Sequence, residues 1–250
     1  RALLAGAAGA AALAGFAPRP AAAQATVRNV VLVHGAWADG SCWMDVILRL
    51  QAAGFRTTAV QNPLTSLADD AAATRRALDL QDGPTVLVGH SWGGAVITEA
   101  GLHPKVASLV YVAARAPDAG EDFNALAARF PTAPVRAGIR VDSGYASLTE
   151  EAFVAHFAGD LDRARARALH AVQQPIAETL FAGRTTVAAW RSKPCSYAVS
   201  TEDQTTAPEL ERFLAERMRA RTIALRSSHL SMISHPDEIA ALITAAAGAG

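Results

Sequence analysis

Ser91 lies in Gly89-His90-Ser91-Trp92-Gly93, a G-x-S-x-G pattern between a short apolar run at 85–89 (TVLVG) and a helix-like run at 95–100 (AVITEA). Glycine inside a regular element lowers stability, so glycines two residues either side of a serine mark a backbone bent where side chains would clash. A serine hydroxyl holds its proton at neutral pH and becomes a nucleophile when a base, usually histidine, takes it. That histidine needs a carboxylate to fix its tautomer and stabilise its charged form, and acyl transfer needs N–H donors aimed at the developing oxyanion. Strand–turn–helix serines of this kind find their partners in the order serine, acid, histidine, each just beyond a strand. Asp203 follows the strand-like run 195–200 (CSYAVS), and His229 follows 222–226 (TIALR). Glu202, next in line, and Asp118, after an earlier strand, compete as the acid; His235, ahead of Pro236 at a helix start, competes as the base. His34, His103, His156 and His170 have no metal-ligand spacing and join no carboxylate cluster. With no dinucleotide or phosphate-loop fingerprint either, no metal or cofactor is expected.

Strand-like and helical runs alternate around these residues. The run 29–33 (NVVLV) reads as a buried strand ending in HGAW, and 43–50 puts Trp43, Val46, Ile47 and Leu50 on one helical face. A strand at 57–60 precedes an amphipathic helix at 67–80, which stops before Asp82-Gly83-Pro84. Then come strand 85–89, helix 94–101 and strand 106–112. Such alternation predicts an α/β fold, a mostly parallel sheet with helices on both faces. Between about 117 and 193 the strands lapse and helical pieces dominate, which predicts a helical cap inserted between two strands. Strand 195–200, helix 208–219, strand 222–226 and a last helix from Pro236 restore the rhythm, giving one domain over 26–250 without a separating linker.

The bulk numbers narrow the function classes. The 250 residues are 51% hydrophobic, enough for a sizeable core, and 23 Lys plus Arg balance 23 Asp plus Glu. Zero net charge provides no field for nucleic acid and no basic stripe for a membrane surface, so long-range electrostatics is not expected to select the substrate. Residues 1–25 form an alanine-rich apolar run closing on Ala23-Gln24-Ala25, an A-x-A site; export to the periplasm or outside is expected. Cys42 falls after the end of one strand and Cys195 at the start of another, at opposite ends of a parallel sheet, so two unpaired thiols are expected.

The motifs VLVHGAWADGSCW, GHSWGG, STEDQTTAPELERFLAERM and SSHLSMISHPDEIAALI resemble the α/β-hydrolase superfamily across nearly the whole chain after residue 25. Within it they are similar to the branch holding plant methyl-ester esterases, hydroxynitrile lyases and bacterial serine hydrolases. The resemblance implies Ser91 as nucleophile, Asp203 as orienting acid, His229 as general base, and the backbone N–H groups of Ala36 and Trp92 as oxyanion hole. Lyases of this branch carry a threonine where this chain has Gly35 and a lysine where it has Leu230. Without that hydroxyl and ammonium, ester hydrolysis is the expected reaction, on small or medium, mainly uncharged substrates. A carboxylate nucleophile, as in dehalogenase and epoxide-hydrolase relatives, is replaced here by Ser91. Substrate choice falls to the cap, whose first half offers Phe123, Leu126, Phe130 and Tyr145 and whose second half offers Phe153, Phe157, Leu180 and Phe181. A non-catalytic ligand-binding protein on the same scaffold is the alternative.

Overall fold

β1 (Asn29–Val33) is buried at every position, as a strand covered on both faces must be. In this computed structural model, which describes Ala2 and residues 26–248, the chain then runs through α1 (Met44–Ala52), β2 (Arg56–Val60), α2 (Leu67–Asp79), β3 (Thr85–His90), α3 (Gly93–Ala100) and β4 (Val106–Val112). The expected export segment, Ala2 apart, lies outside the described residues.

After β4 the cap contributes α4 (Phe123–Ala127), β5 (Ile139–Asp142), β6 (Tyr145–Leu148), α5 (Glu150–Ala152), α6 (Arg163–Ala171) and β7 (Ile176–Ala177). The core resumes with β8 (Cys195–Ser200), α7 (Pro208–Arg217), β9 (Arg221–Leu225), α8 (Ser231–Ser234) and α9 (Pro236–Ala247). Strand order is β2-β1-β3-β4-β8-β9, and every neighbouring pair is parallel. α1 packs with α9 and α2 packs with α3, so the two helix pairs sandwich the sheet. Among the described residues no helix is long and apolar enough to cross a membrane.

The cap sits where the rhythm of the sequence lapses, but it is not only helical. β5, β6 and β7 form a three-stranded antiparallel sheet. Its hairpin turns at Ser143-Gly144, both at positive φ (51° and 81°), a backbone that matches strand twist and that glycine takes without strain. Cys42, in the turn after β1, and Cys195, opening β8, are both free thiols, as expected.

Candidate active site

β3 ends at His90 and α3 starts at Gly93, so Ser91 and Trp92 make the whole turn between them. Ser91 takes φ +52°, a left-handed conformation that costs a non-glycine residue roughly 1–3 kcal/mol. Three backbone hydrogen bonds hold it there: Ser91 N–H donates to Val112 C=O (3.1 Å), and Ser91 C=O accepts from the N–H groups of Gly94 and Arg115 (3.0 Å each). The flanking glycines are steric requirements. A Cβ on Gly89 would come 2.5 Å from the Gly93 carbonyl oxygen, and one on Gly93 would come 2.5 Å from that of Val33.

The loops after β8 and β9 bring the candidate acid and base together. His229 Nδ1–H donates to Asp203 Oδ2 at 2.5 Å, with both side chains fully buried. Asp203 Oδ1 accepts from the backbone N–H groups of Thr205 (2.6 Å) and Thr206 (2.9 Å), so the carboxylate is fixed from both sides. The competitors are engaged elsewhere: Glu202 with Arg226 (2.6 Å), Asp118 with Arg191, and His235 Nδ1 with Ser234 Oγ (2.9 Å). The His229 ring lies 4.7 Å from that of His90 and 5.1 Å from that of Phe157, and its carbonyl accepts from His90 Nε2–H (3.0 Å). Burial, reinforced by neighbouring His229, holds His90 well below the usual histidine range, so it is neutral. His229 Nε2 is left buried without a hydrogen-bond partner, a state that costs about 1–3 kcal/mol. No hydrogen bond joins it to Ser91 in this structure.

Glu211 of α7 stands behind the acid. It is fully buried, and its Oε2 accepts from Ser200 N–H (2.9 Å). Burial first, and the charge of Asp203 second, push Glu211 well above the usual carboxylate range. It is thus a neutral acid, and its Oε1 has no hydrogen-bond partner among the described residues.

The turn after β1 packs against the elbow. His34 Nε2 accepts from Asn62 N–H (2.9 Å), and Asn62 Nδ2 donates back to the His34 carbonyl (3.0 Å). Burial keeps His34 below its ordinary value, in keeping with an accepting Nε2. A Cβ on Gly35 would fall 2.7 Å from Ser91 Cβ, so the Gly35–Ala36 backbone lies directly beside the nucleophile candidate. Neither the Ala36 nor the Trp92 amide donates to another described residue. The Trp92 indole is anchored through Nε1–H to Asp70 Oδ2 (2.7 Å); Asp70 Oδ1 accepts from Leu64 N–H (2.8 Å).

Ser91 faces a cavity of about 230 Å³ under the cap. Trp37, Phe123, Val135, Phe181 and Leu210 supply its apolar wall, with Arg115 and Arg136 as its charged members. Of the cap side chains expected to read substrate, Phe123 and Phe181 do line it. Phe157 instead lies against His229, Phe153 packs on Phe157 (4.8 Å), Phe130 packs on Phe213 (5.5 Å), and Tyr145 is exposed. Leu126 and Leu180 are buried in packing. Sequence reasoning missed Arg115, Arg136, Trp37 and Glu211. Arg115 left a signal, a lone cation in the apolar stretch VYVAARAP directly after a strand.

A model of the alpha/beta hydrolase family matches residues 30–242. The chain belongs to the alpha/beta hydrolase family. Over 114 residues it is 36% identical to a carbendazim hydrolyzing esterase of Nocardioides sp. (strain SG-4G), covering 39% of this chain and 46% of that protein. Methylesterase 3 of Arabidopsis thaliana is 35% identical over 107 residues, 36% of this chain and 41% of that protein. These matches thus span less than half of the length of either relative, and they come from the branch that the motifs resemble. Among solved structures, a pyrethroid hydrolase from Sphingobium faniae JZ-2 superposes with TM-score 0.73 at 22% identity, over 90% of this chain and 98% of that one. Polyneuridine aldehyde esterase does so with TM-score 0.74 at 19% identity, over 88% and 98%.

Proposed function

We propose that this protein is a serine esterase that cleaves carboxylic esters of small or medium size through an acyl-enzyme intermediate. The observation that carries this reading is the buried His229–Asp203 pair, with His229 Nε2 left without a partner and its ring packed on that of His90, the residue before a strained, cavity-facing Ser91. Asp203 fixes the Nδ1–H tautomer, so Nε2 is the nitrogen that takes the Ser91 proton once a substrate brings the site together; catalytic hydrogen bonds commonly tighten only at that stage. Ser91 Oγ attacks the acyl carbon, and the carbonyl oxygen becomes an oxyanion held by the free amides of Ala36 and Trp92. His229 returns its proton to the departing alcohol, then activates the water that releases the acid and restores Ser91.

The names of the relatives, an esterase and a methylesterase, support ester cleavage. The crowding at Gly35 supports hydrolysis over cyanohydrin cleavage, because a threonine there would have to displace Ser91. Fluorophosphonate labelling with mass mapping, alongside a p-nitrophenyl ester chain-length series, tests the reading. Labelling at Ser91 and turnover lost in Ser91→Ala are expected. Ligand binding by a protein that neither labels nor turns over any ester would establish a binding protein instead.

A further inference from the structure

Arg115 follows β4, and its backbone N–H donates to the Ser91 carbonyl (3.0 Å), so its position is tied to the elbow itself. The preceding residue is pinned too: Tyr197 Oη donates to the Ala114 carbonyl (2.6 Å) and accepts from its N–H (2.9 Å). The Arg115 guanidinium carbon lies 4.1 Å from the ring centre of Phe181, 5.0 Å from Phe123 and 5.7 Å from Trp92. Aromatic faces attract a cation and hold its orientation, but they cannot accept its N–H donors as oxygen does.

Among the described residues no carboxylate meets this charge. The acids that follow Arg115 in the chain are taken: Asp118 by Arg191, Glu121 by Arg217 (2.8 Å) and Asp122 by Arg184 (2.8 Å). Asp203 is committed to His229 and two amides. No described acidic side chain lines the cavity, and the other charged group there is a second cation, Arg136, which makes no ion pair with a described residue. Burial, together with Arg136, lowers Arg115 to about 10, so it remains charged at neutral pH. A half-buried cation on a rigid backbone, caged by rings and lacking a counter-ion, has its fork of N–H donors free for a planar anion.

We propose that Arg115, assisted by Arg136, binds a free carboxylate on the substrate, making acid-bearing esters the preferred class. This deepens the esterase reading and rests on it. It also revises the expectation of mainly uncharged substrates. That expectation came from the apolar and aromatic side chains of the cap, which are silent about two cations in the same small cavity.

The test compares pairs that differ only in charge. On the acyl side these are monomethyl adipate and its primary amide, methyl adipamate. On the alcohol side they are 4-acetoxybutanoate and 4-acetoxybutanamide. The expected result is a kcat/KM preference for the acid over its amide of about 10–100-fold in at least one pair, carried mainly by KM. Arg115→Met should collapse that ratio towards one, Arg115→Lys should retain part of it, and Arg136→Gln should reduce it less than Arg115→Met. Because Arg136 is exposed, its variant reports even where Arg115→Met fails to fold. In parallel, calorimetry on Ser91→Ala should find hexanoate binding more tightly than hexanamide. Equal turnover of acid and amide in both pairs, or a preference untouched in Arg115→Met, would overturn the proposal while leaving the esterase intact. Tight hexanoate binding by a protein that hydrolyses nothing would keep the anion site and discard the esterase. Equal binding of hexanoate and hexanamide would discard the site.

Discussion

The candidate site holds two charges, Asp203 and Arg115, and the protein treats them in opposite ways. Asp203 is enclosed by donors, His229 Nδ1–H and the amides of Thr205 and Thr206, and its buried carboxyl neighbour Glu211 is neutral. Arg115 is enclosed by rings and left without an acceptor. Burying a charge is tolerable when hydrogen bonds satisfy it, so the Asp203 loop is complete by itself. The Arg115 site is complete only with something from outside. In this molecule the charge assigned to the chemistry is satisfied internally, and the charge assigned to recognition is left open.

Removing the proposed nucleophile breaks the comparison most severely. Ser91→Ala should lower kcat by roughly 10⁴–10⁶-fold on every ester tested, while hexanoate binding persists. The stability of that variant, read from urea unfolding, should stay near wild type, because the turn is held by backbone bonds that this substitution leaves in place. Loss of anion binding along with activity would mean that the two regions are not separable. Asp203→Asn comes next. It keeps the shape but offers the wrong hydrogen-bonding group to His229, and kcat should drop by about 10³–10⁴-fold. The acid-over-amide preference should survive in the residual activity, since Arg115 is untouched.

How much of this could be read in advance follows the same division. β3, the elbow and the strand-end positions of Asp203 and His229 were legible because glycine sterics, buried apolar runs and chain order are local properties of a sequence. The preference for Asp203 over Glu202 rests on the resemblance, and the fold adds the physical difference between these adjacent carboxylates: the loop turns one to His229 and one outward to Arg226. Arg115 shows the limit more sharply. Its neighbours Phe123 and Phe181 are distant in the chain, and whether Asp118 would neutralise it depended on Arg191 claiming that acid first. The hairpin in the cap was marked by Ser143-Gly144 between two short alternating runs, but four-residue strands among helical pieces are a weak signal.

The claim that Asp203 is satisfied rather than repelled from behind can be sharpened at Glu211. A neutral Glu211 is mimicked by Glu211→Gln, which still accepts from Ser200 N–H and adds no charge beside Asp203. That variant should keep the wild-type pH profile of kcat/KM and most of the rate. Glu211→Leu removes that acceptor and leaves Ser200 N–H buried without a partner, so it should lose about 1–3 kcal/mol of stability and several-fold in kcat. An ionised Glu211 gives a different signature. Its extra negative charge would hold the base limb up, and Glu211→Gln would then move the acidic limb of the profile to lower pH. A downward shift in Glu211→Gln would therefore end the account of a carboxylate backed by a neutral acid.

The smallest effect concerns the wall that holds Arg115. Trp92, one of its three rings, hangs on Asp70, and burial raises the Asp70 carboxyl from 3.8 to about 6. The folded protein thus binds a proton more tightly than the unfolded chain does. The resulting stabilisation is fully present below about pH 4 and is lost as pH rises through about 6, amounting to about 2–3 kcal/mol for a shift of this size. Asp70→Asn cannot titrate, so its unfolding free energy should lack this fall. The difference between variant and wild type, measured by urea melts at pH 4 and pH 7.5, should move in favour of the variant by that amount. A difference that stays constant with pH would mean that Asp70 is ionised at little cost.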